Sequence, residues 1–464
     1  MTMRNLLIIA YYYPPLASSG SMRPMAFSRY LPAYGWRPFI MTTVPETTYP
    51  AFPCDPHLGS LIPQHAEIIR VPDRNPVKRF LDFRARLITL LRPEGTMIEH
   101  KEDTGRAKLR SNSPFKRALD KFQSRLFEFP DHQATWFQPV VKRAAEIIQE
   151  RQIDAILATG SPWTCLRAGE TLSRRFQLPF VADFRDPWVD NPYKKFSDEL
   201  LARAKKLERD ICSRANKILT NTDPLRVCFV EKYPQWESKF VTLTNGFDRY
   251  VLPIQQPEKK RFTKSKPTIS HFGSIYEKRN PRVLLQALNE AVGSGTIKAG
   301  DLLFRFVGPW VTGDSVCDQL ATRLEACGLV RRESAIPYNE CLKQMAETDG
   351  LLILQPDSQL QIPGKLYEYI AAARPIVVIG GEGATRQLVT KHKVGICLAN
   401  ELSDIRRGLD KLVGNALFSS TTPHAGEESF DYCVLTGTLA NILDELASEK
   451  ARNSSASNTE ICAE

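Results

Sequence analysis

A repeated unit constrains this 464-residue chain more than any other feature. Short strand-like runs, among them residues 4–10, 180–184, 268–272, 302–307, 351–354 and 376–380, are each followed by a loop of turn-forming residues and then by helical periodicity, and the run 4–10 is apolar without polar alternation. A strand that is apolar throughout is buried on both faces, as happens when helices cover a parallel sheet on either side. The units form two series, 1–253 and 268–430, and the apolar-poor stretch 254–267 between them predicts an interdomain linker. Length agrees, since the chain exceeds one ordinary core and suits two domains of roughly 200 residues each. The expected fold is α/β, two doubly wound Rossmann-like domains whose strand ends face a common cleft. A last helix over 431–448 is expected to pack back on the first domain, and the polar residues 449–464 to form a disordered tail.

Composition excludes several classes. No apolar run reaches the roughly 18 residues of a membrane span, and the N-terminus reads as a first strand, not a signal peptide. The ten cysteines are scattered, with no Cys-x-x-Cys and no histidine at ligand spacing. Free thiols in a reducing, cytoplasmic compartment are therefore expected, and no metal site. The net charge of +10 is uneven, because residues 74–125 hold 14 Lys+Arg against 6 Asp+Glu. There Val77, Phe80, Leu81, Leu87, Ile88 and Leu91, then Phe115, Ala118, Leu119, Phe122 and Leu126, recur at helical spacing with basic residues between them. The insertion 74–128 thus reads as two basic amphipathic helices. Such helices are either solvated surface elements or, through 77–128, a peripheral contact with an anionic membrane. Nucleic acid is not an expected partner, since no aromatic-platform fold surrounds the basic residues.

Ligand contacts are sought where strands end. The loop after the first strand carries Gly20 and Ser21, which offer close backbone approach and a hydroxyl, and it lacks the Gly-x-Gly-x-x-Gly of a dinucleotide site. Gly160 and Ser161 follow the strand at 155–158. Asp183, Arg185 and Asp186 crowd one strand end and are the catalytic candidates, the alternative being an Arg–Asp pair that fixes the turn before Pro187. In the second series Gly273, Ser274 and Arg279 stand beyond a strand. Residues 361–380 read as a turn, about three turns of helix starting at Pro363, and a buried strand. Ile362, Leu366, Tyr369, Ile370 and Ala373 share the packed face. Lys365 and Glu368 lie one turn apart on a neighbouring strip. Pro363, Gly364 and Lys365 at a helix N-terminus suit a phosphate, and Glu368 suits the vicinal hydroxyls of a ribose. A capped helix with an exposed Lys–Glu pair is the plainer reading of the same spacing.

Five stretches in order carry a resemblance. They are Tyr13-Pro14-Pro15 with the Gly20 loop, Asp183-Phe184-Arg185-Asp186-Pro187-Trp188, and Leu243-Thr244-Asn245-Gly246-Phe247-Asp248. The second series adds His271-Phe272-Gly273-Ser274-Ile275-Tyr276 with Arg279-Asn280-Pro281, and Ile362-Pro363-Gly364-Lys365-Leu366-Tyr367-Glu368-Tyr369 leading to Arg374-Pro375. The series resembles the GT-B-fold, family-4-like glycosyltransferases over nearly the whole chain. The resemblance implies transfer of a sugar from a nucleoside-diphosphate sugar bound mainly by the second domain, with retention at the anomeric carbon and no metal or other cofactor. Arg279 and Lys365 would neutralise the diphosphate, Glu368 would bind the ribose, and Gly20 and Ser21 would lie near donor or acceptor. The chain departs from the family's Glu-x7-Glu pair, having Leu360 eight residues before Glu368, and has Ser274 where an arginine often follows the glycine. The family's first-domain histidine has no counterpart, its strand end being occupied by Gly160-Ser161.

The expected function is a cytoplasmic, membrane-peripheral glycosyltransferase that uses a nucleotide-sugar donor and a glycan or lipid-linked acceptor in surface polysaccharide or glycolipid synthesis. Two alternatives remain open. A nucleotide-sugar epimerase on the same fold would need acid/base groups on the sugar, for which Asp183 and Asp186 are the candidates. A degenerate, non-catalytic binding module is favoured by the absent first glutamate.

Overall fold

A computed structural model describes residues 3–48, 52–76, 129–192, 194, 196–252, 266–355, 358–413 and 428–461. The basic helices expected over 77–128, and residues 253–265 of the linker region, lie outside the described residues. The first seven strands are β1 (Arg4–Ile9), β2 (Trp36–Thr43), β3 (Glu67–Val71), β4 (Ala155–Gly160), β5 (Phe180–Phe184), β6 (Lys217–Thr220) and β7 (Phe240–Thr242). They form one parallel sheet in the order β3-β2-β1-β4-β5-β6-β7. The second sheet is built from β8 (Thr268–Phe272), β10 (Leu303–Val307), β12 (Val330–Glu333), β13 (Gly350–Gln355), β14 (Ile376–Gly380) and β15 (Gly395–Leu398). Its order is β12-β10-β8-β13-β14-β15, also parallel, and the short strands β9 (Ile275–Tyr276) and β11 (Trp310–Val311) pair beside it. Each sheet reverses its winding direction once, between β1 and β4 and between β8 and β13. The loops at these two switch points are where doubly wound sheets bind ligands.

The apolar runs are buried as their composition requires. Leu6, Leu7, Ile8 and Ile9 are all inaccessible and divide between two cores, one on each face of the first sheet. The second sheet is sandwiched in the same way. The helix Tyr432–Ile461 leaves the second domain and lays Leu435, Leu439, Ile442, Leu443 and Leu446 on the first, against the helix Met22–Tyr30 and β1. Two backbone bonds tie this crossing down, Phe247 N to Phe430 O and Tyr432 N to Phe247 O, both 2.9 Å. Gly246 is required there, because a Cβ would stand 2.2 Å from the Phe430 carbonyl oxygen.

Three expectations need correction. The tail is not disordered from 449, because the backbone stays helical to Ile461. Residues 449–461 contain neither Gly nor Pro, and extending an existing helix avoids the cost of nucleation. The helix after Gln361 spans Lys365–Ala371, seven residues instead of three turns. It starts after a tight turn in which Leu366 N donates to Pro363 O, and Ala373 takes a left-handed conformation (φ 51°) that ends it. The first domain also holds β3 and a helix, Asp223–Lys232, that the periodicity did not single out.

Candidate functional site

The carboxyl ends of the two sheets enclose a cleft of about 620 Å³. On the second-domain side, strand β8 runs into Gly273, whose φ of 151° suits only glycine. Gly308 packs onto it so closely that a Cβ would stand 2.4 Å from the Gly273 carbonyl oxygen. The Tyr369 hydroxyl accepts a hydrogen bond from Phe272 N at 2.9 Å, so the helix Lys365–Ala371 is pinned to the end of β8. Lys365 and Glu368 are thereby held beside the Gly273-Ser274 loop, and both line the cleft with Arg279, Pro363 and Gly364.

These charges are arranged by their neighbours. Lys365 Nζ and Glu368 Oε2 form an ion pair at 2.8 Å, bent away from hydrogen-bond alignment. Glu368 Oε1 accepts from the Tyr338 hydroxyl at 2.9 Å. Burial works against the Lys365 charge, but Glu368 and Cys341, whose sulfur is 3.8 Å away, outweigh it and hold the ammonium above its usual value. Burial first and Glu368 second push the Tyr338 hydroxyl well up, so it stays a donor. Arg279 lies over the Tyr276 ring and reaches Gln355 Oε1 at 3.4 Å, with no carboxylate at ion-pair distance among the described residues.

The first-domain wall is a mixture. Arg185 and Asp186 line the cleft with Ser18 and Ser19, whereas Gly20, Ser21, Gly160, Ser161 and Asp183 do not. Asp183, a catalytic candidate from the sequence, lies outside the cleft lining. It is fully buried, its two oxygens accept from Arg23 Nε and Nη2 at 3.0 and 2.9 Å, and Thr159 Oγ1 adds a third bond at 2.8 Å. Arg23 spends its remaining donors on the Leu243 and Thr244 carbonyls, fastening the end of β7 to the first helix. Ser21 turns inward to the Leu16 carbonyl. Gly160 and Ser161 contribute carbonyl oxygens to Arg185 and face away from the cleft.

Two polar bridges across the cleft were unforeseen: Asp186 Oδ1 accepts from Gln361 Nε2 of the second domain at 2.7 Å, and Asp55 Oδ2 accepts from Tyr338 N at 3.4 Å. The first is made by a carboxylate of the Asp183–Asp186 motif. Burial between the domains raises the Asp186 carboxyl above the usual range, with Arg185 opposing. Leu360, standing where the resemblance places a glutamate, packs against the first-domain core, and its carbonyl accepts from Thr222 Oγ1 at 2.7 Å. Tyr338, Gln355, Gln361 and Cys341 were missed as site residues. Only Gln361, inside the turn already marked as special, carried any signal.

The architecture can be compared with known proteins. No protein-family model and no curated protein matches this sequence. Solved structures do. Anabaena HepE in complex with UDP and glucose superposes with a TM-score of 0.59 at 14% identity, over 95% of this chain and 100% of that one. Sucrose-phosphate synthase from Thermosynechococcus elongatus gives 0.61 at 12% identity, over 96% and 100%. A Listeria monocytogenes protein described as a UDP-N-acetylglucosamine 2-epimerase gives 0.54 at 11% identity, over 94% and 95%. The fold is GT-B, as the resemblance implied: two Rossmann-like domains about a cleft.

Proposed function

We propose that the chain is a glycosyltransferase that moves a sugar from a nucleoside-diphosphate sugar to a glycan or lipid-linked acceptor, with retention and without a metal, in surface polysaccharide or glycolipid synthesis. The observation that carries this reading is the cation–carboxylate cluster on the second-domain wall. Among the described residues Arg279 has no carboxylate partner, and Lys365 lines the same wall. Aimed at one place, they would stabilise the negative charge that builds on a departing diphosphate. Glu368, already oriented by Tyr338 and Lys365, would accept the ribose hydroxyls. The helix that presents them is short, so the side chains and not a helix dipole would do most of the neutralising. Asp186, one of the two first-domain carboxylates lining the cleft, would meet the sugar. That HepE has been solved with UDP-glucose supports a uridine donor.

A transfer and donor-hydrolysis assay over a panel of nucleotide sugars tests the proposal. Turnover with at least one donor, lost in Glu368→Ala and Arg279→Ala, is the expected result; no turnover with any donor contradicts it. The structural likeness to the Listeria protein keeps the epimerase reading in play. Product analysis without an acceptor separates the two, since an epimerase changes the donor sugar and a transferase leaves its configuration intact. The peripheral membrane contact through 77–128 is also part of the proposal. Neutralising its arginines should release the protein from anionic vesicles, and unchanged binding would remove that part.

A further inference from the structure

Two arginines of the first domain lie near the cleft at comparable depth and are treated differently. Arg23 is 1% exposed and fully paired with Asp183. Arg185 is 8% exposed, yet it lines the cleft and has no carboxylate at ion-pair distance among the described residues. Its Nε donates to the Gly160 carbonyl at 3.2 Å and its Nη2 to the Ser161 carbonyl, while Nη1 makes no hydrogen bond among the described residues. Carbonyls orient a guanidinium but do not neutralise it. The neighbouring carboxylates are engaged elsewhere, Asp183 with Arg23 and Asp186 with Gln361. Gly20 shows how closely this group is fitted, since a Cβ there would lie 2.9 Å from Nη1 and 3.0 Å from Nη2.

Asp186 acts on Arg185 through the field between them and not through a direct ion pair, and a guanidinium braced by carbonyls is preorganised for a planar, two-oxygen anion. The diphosphate of a donor already has partners on the opposite wall, Arg279 and Lys365. We infer that Arg185 is a second anion-binding point, which takes a carboxylate or phosphate group carried by the transferred sugar or by the acceptor. The inference rests on the nucleotide-sugar reading above.

The two sources are separated by two comparisons. Calorimetric affinities for UDP, UDP-glucose and UDP-glucuronate probe an anionic sugar. The KM for a polyprenyl-phosphate-linked acceptor against a phosphate-free lipid analogue probes an anionic acceptor. Wild type should prefer the anionic member of one pair by about tenfold or more, as a charge-assisted fork predicts. Arg185→Gln should abolish that preference and leave UDP affinity within about twofold, and Arg185→Lys should keep part of it. A wild type that prefers neither anionic member overturns the inference without any variant. So does an Arg185→Gln variant that weakens UDP and every other ligand by the same factor, which would make Arg185 a support of the Gly160-Ser161 turn or a contact of the diphosphate. If wild type binds no UDP at all, the nucleotide-sugar reading falls first and this inference with it.

Discussion

At the residue scale, burial and not residue type decides what each charged side chain does. Asp183 and Asp186 stand three positions apart in one motif, yet Asp183 is sealed under Arg23 and Asp186 faces the cleft. Sequence alone made them equivalent, because the partner that removes Asp183 lies 160 positions away. The i,i+3 spacing of Lys365 and Glu368 was legible, since a helix alone brings such residues together. His271 shows the same rule in a titrating group. Its Nδ1–H donates to the Leu352 carbonyl at 2.9 Å, Nε2 has no partner, and burial pushes the imidazole from 6.5 down to about 4. Between those values the unfolded chain binds a proton that the folded chain refuses. The stabilisation is therefore complete above about pH 6.5 and is lost as pH falls toward 4, with an upper bound of about 3 kcal/mol. Chemical unfolding at pH 7 and pH 5 should show a stability loss that is smaller in His271→Asn. Equal losses in both proteins would show that His271 is not the group responsible.

At the element scale, what could be read was set by how local the determining contacts are. Buried parallel strands carry short runs rich in apolar residues, as β1, β13 and β14 do, and such runs between turn and helix signals made most strands of both sheets legible. Strand β3, Glu67–Val71, is short and only half-buried along most of its length, so its pattern is weak. The helix Asp223–Lys232 carried a signal that was overlooked, Thr222 as a cap accepting from Leu225 N with a proline in the first turn. The early end of the helix Lys365–Ala371 was also written in the sequence, because Pro375 disfavours helical backbone at Arg374. The helix from Tyr432 is the element whose loss should matter most to the first domain. Leu439 and Leu443 are inaccessible within its core, so Leu439→Ala should cost about 2–5 kcal/mol in an unfolding titration. A cost near zero would mean that the helix does not seal the first domain.

At the scale of the whole molecule, two domains are held about one cleft by the returning helix and by a few cross-domain bonds, Gln361 to Asp186 and Thr222 to the Leu360 carbonyl. The linker and the order of motifs made the two-domain plan legible. Which residues meet across the cleft was not, since that depends on how two separately folded sheets are set against each other. Leu360 is the instructive case, a departure from the family pattern that the structure uses to dock one domain on the other. In the proposed function the second-domain wall grips a nucleoside diphosphate. Calorimetric titration of UDP, GDP and ADP into wild type and Glu368→Ala tests it most directly. Saturable binding of one diphosphate by wild type, weakened about tenfold or more in the variant, is the predicted result. Binding of none of the three, or equal affinity in both proteins, would contradict it.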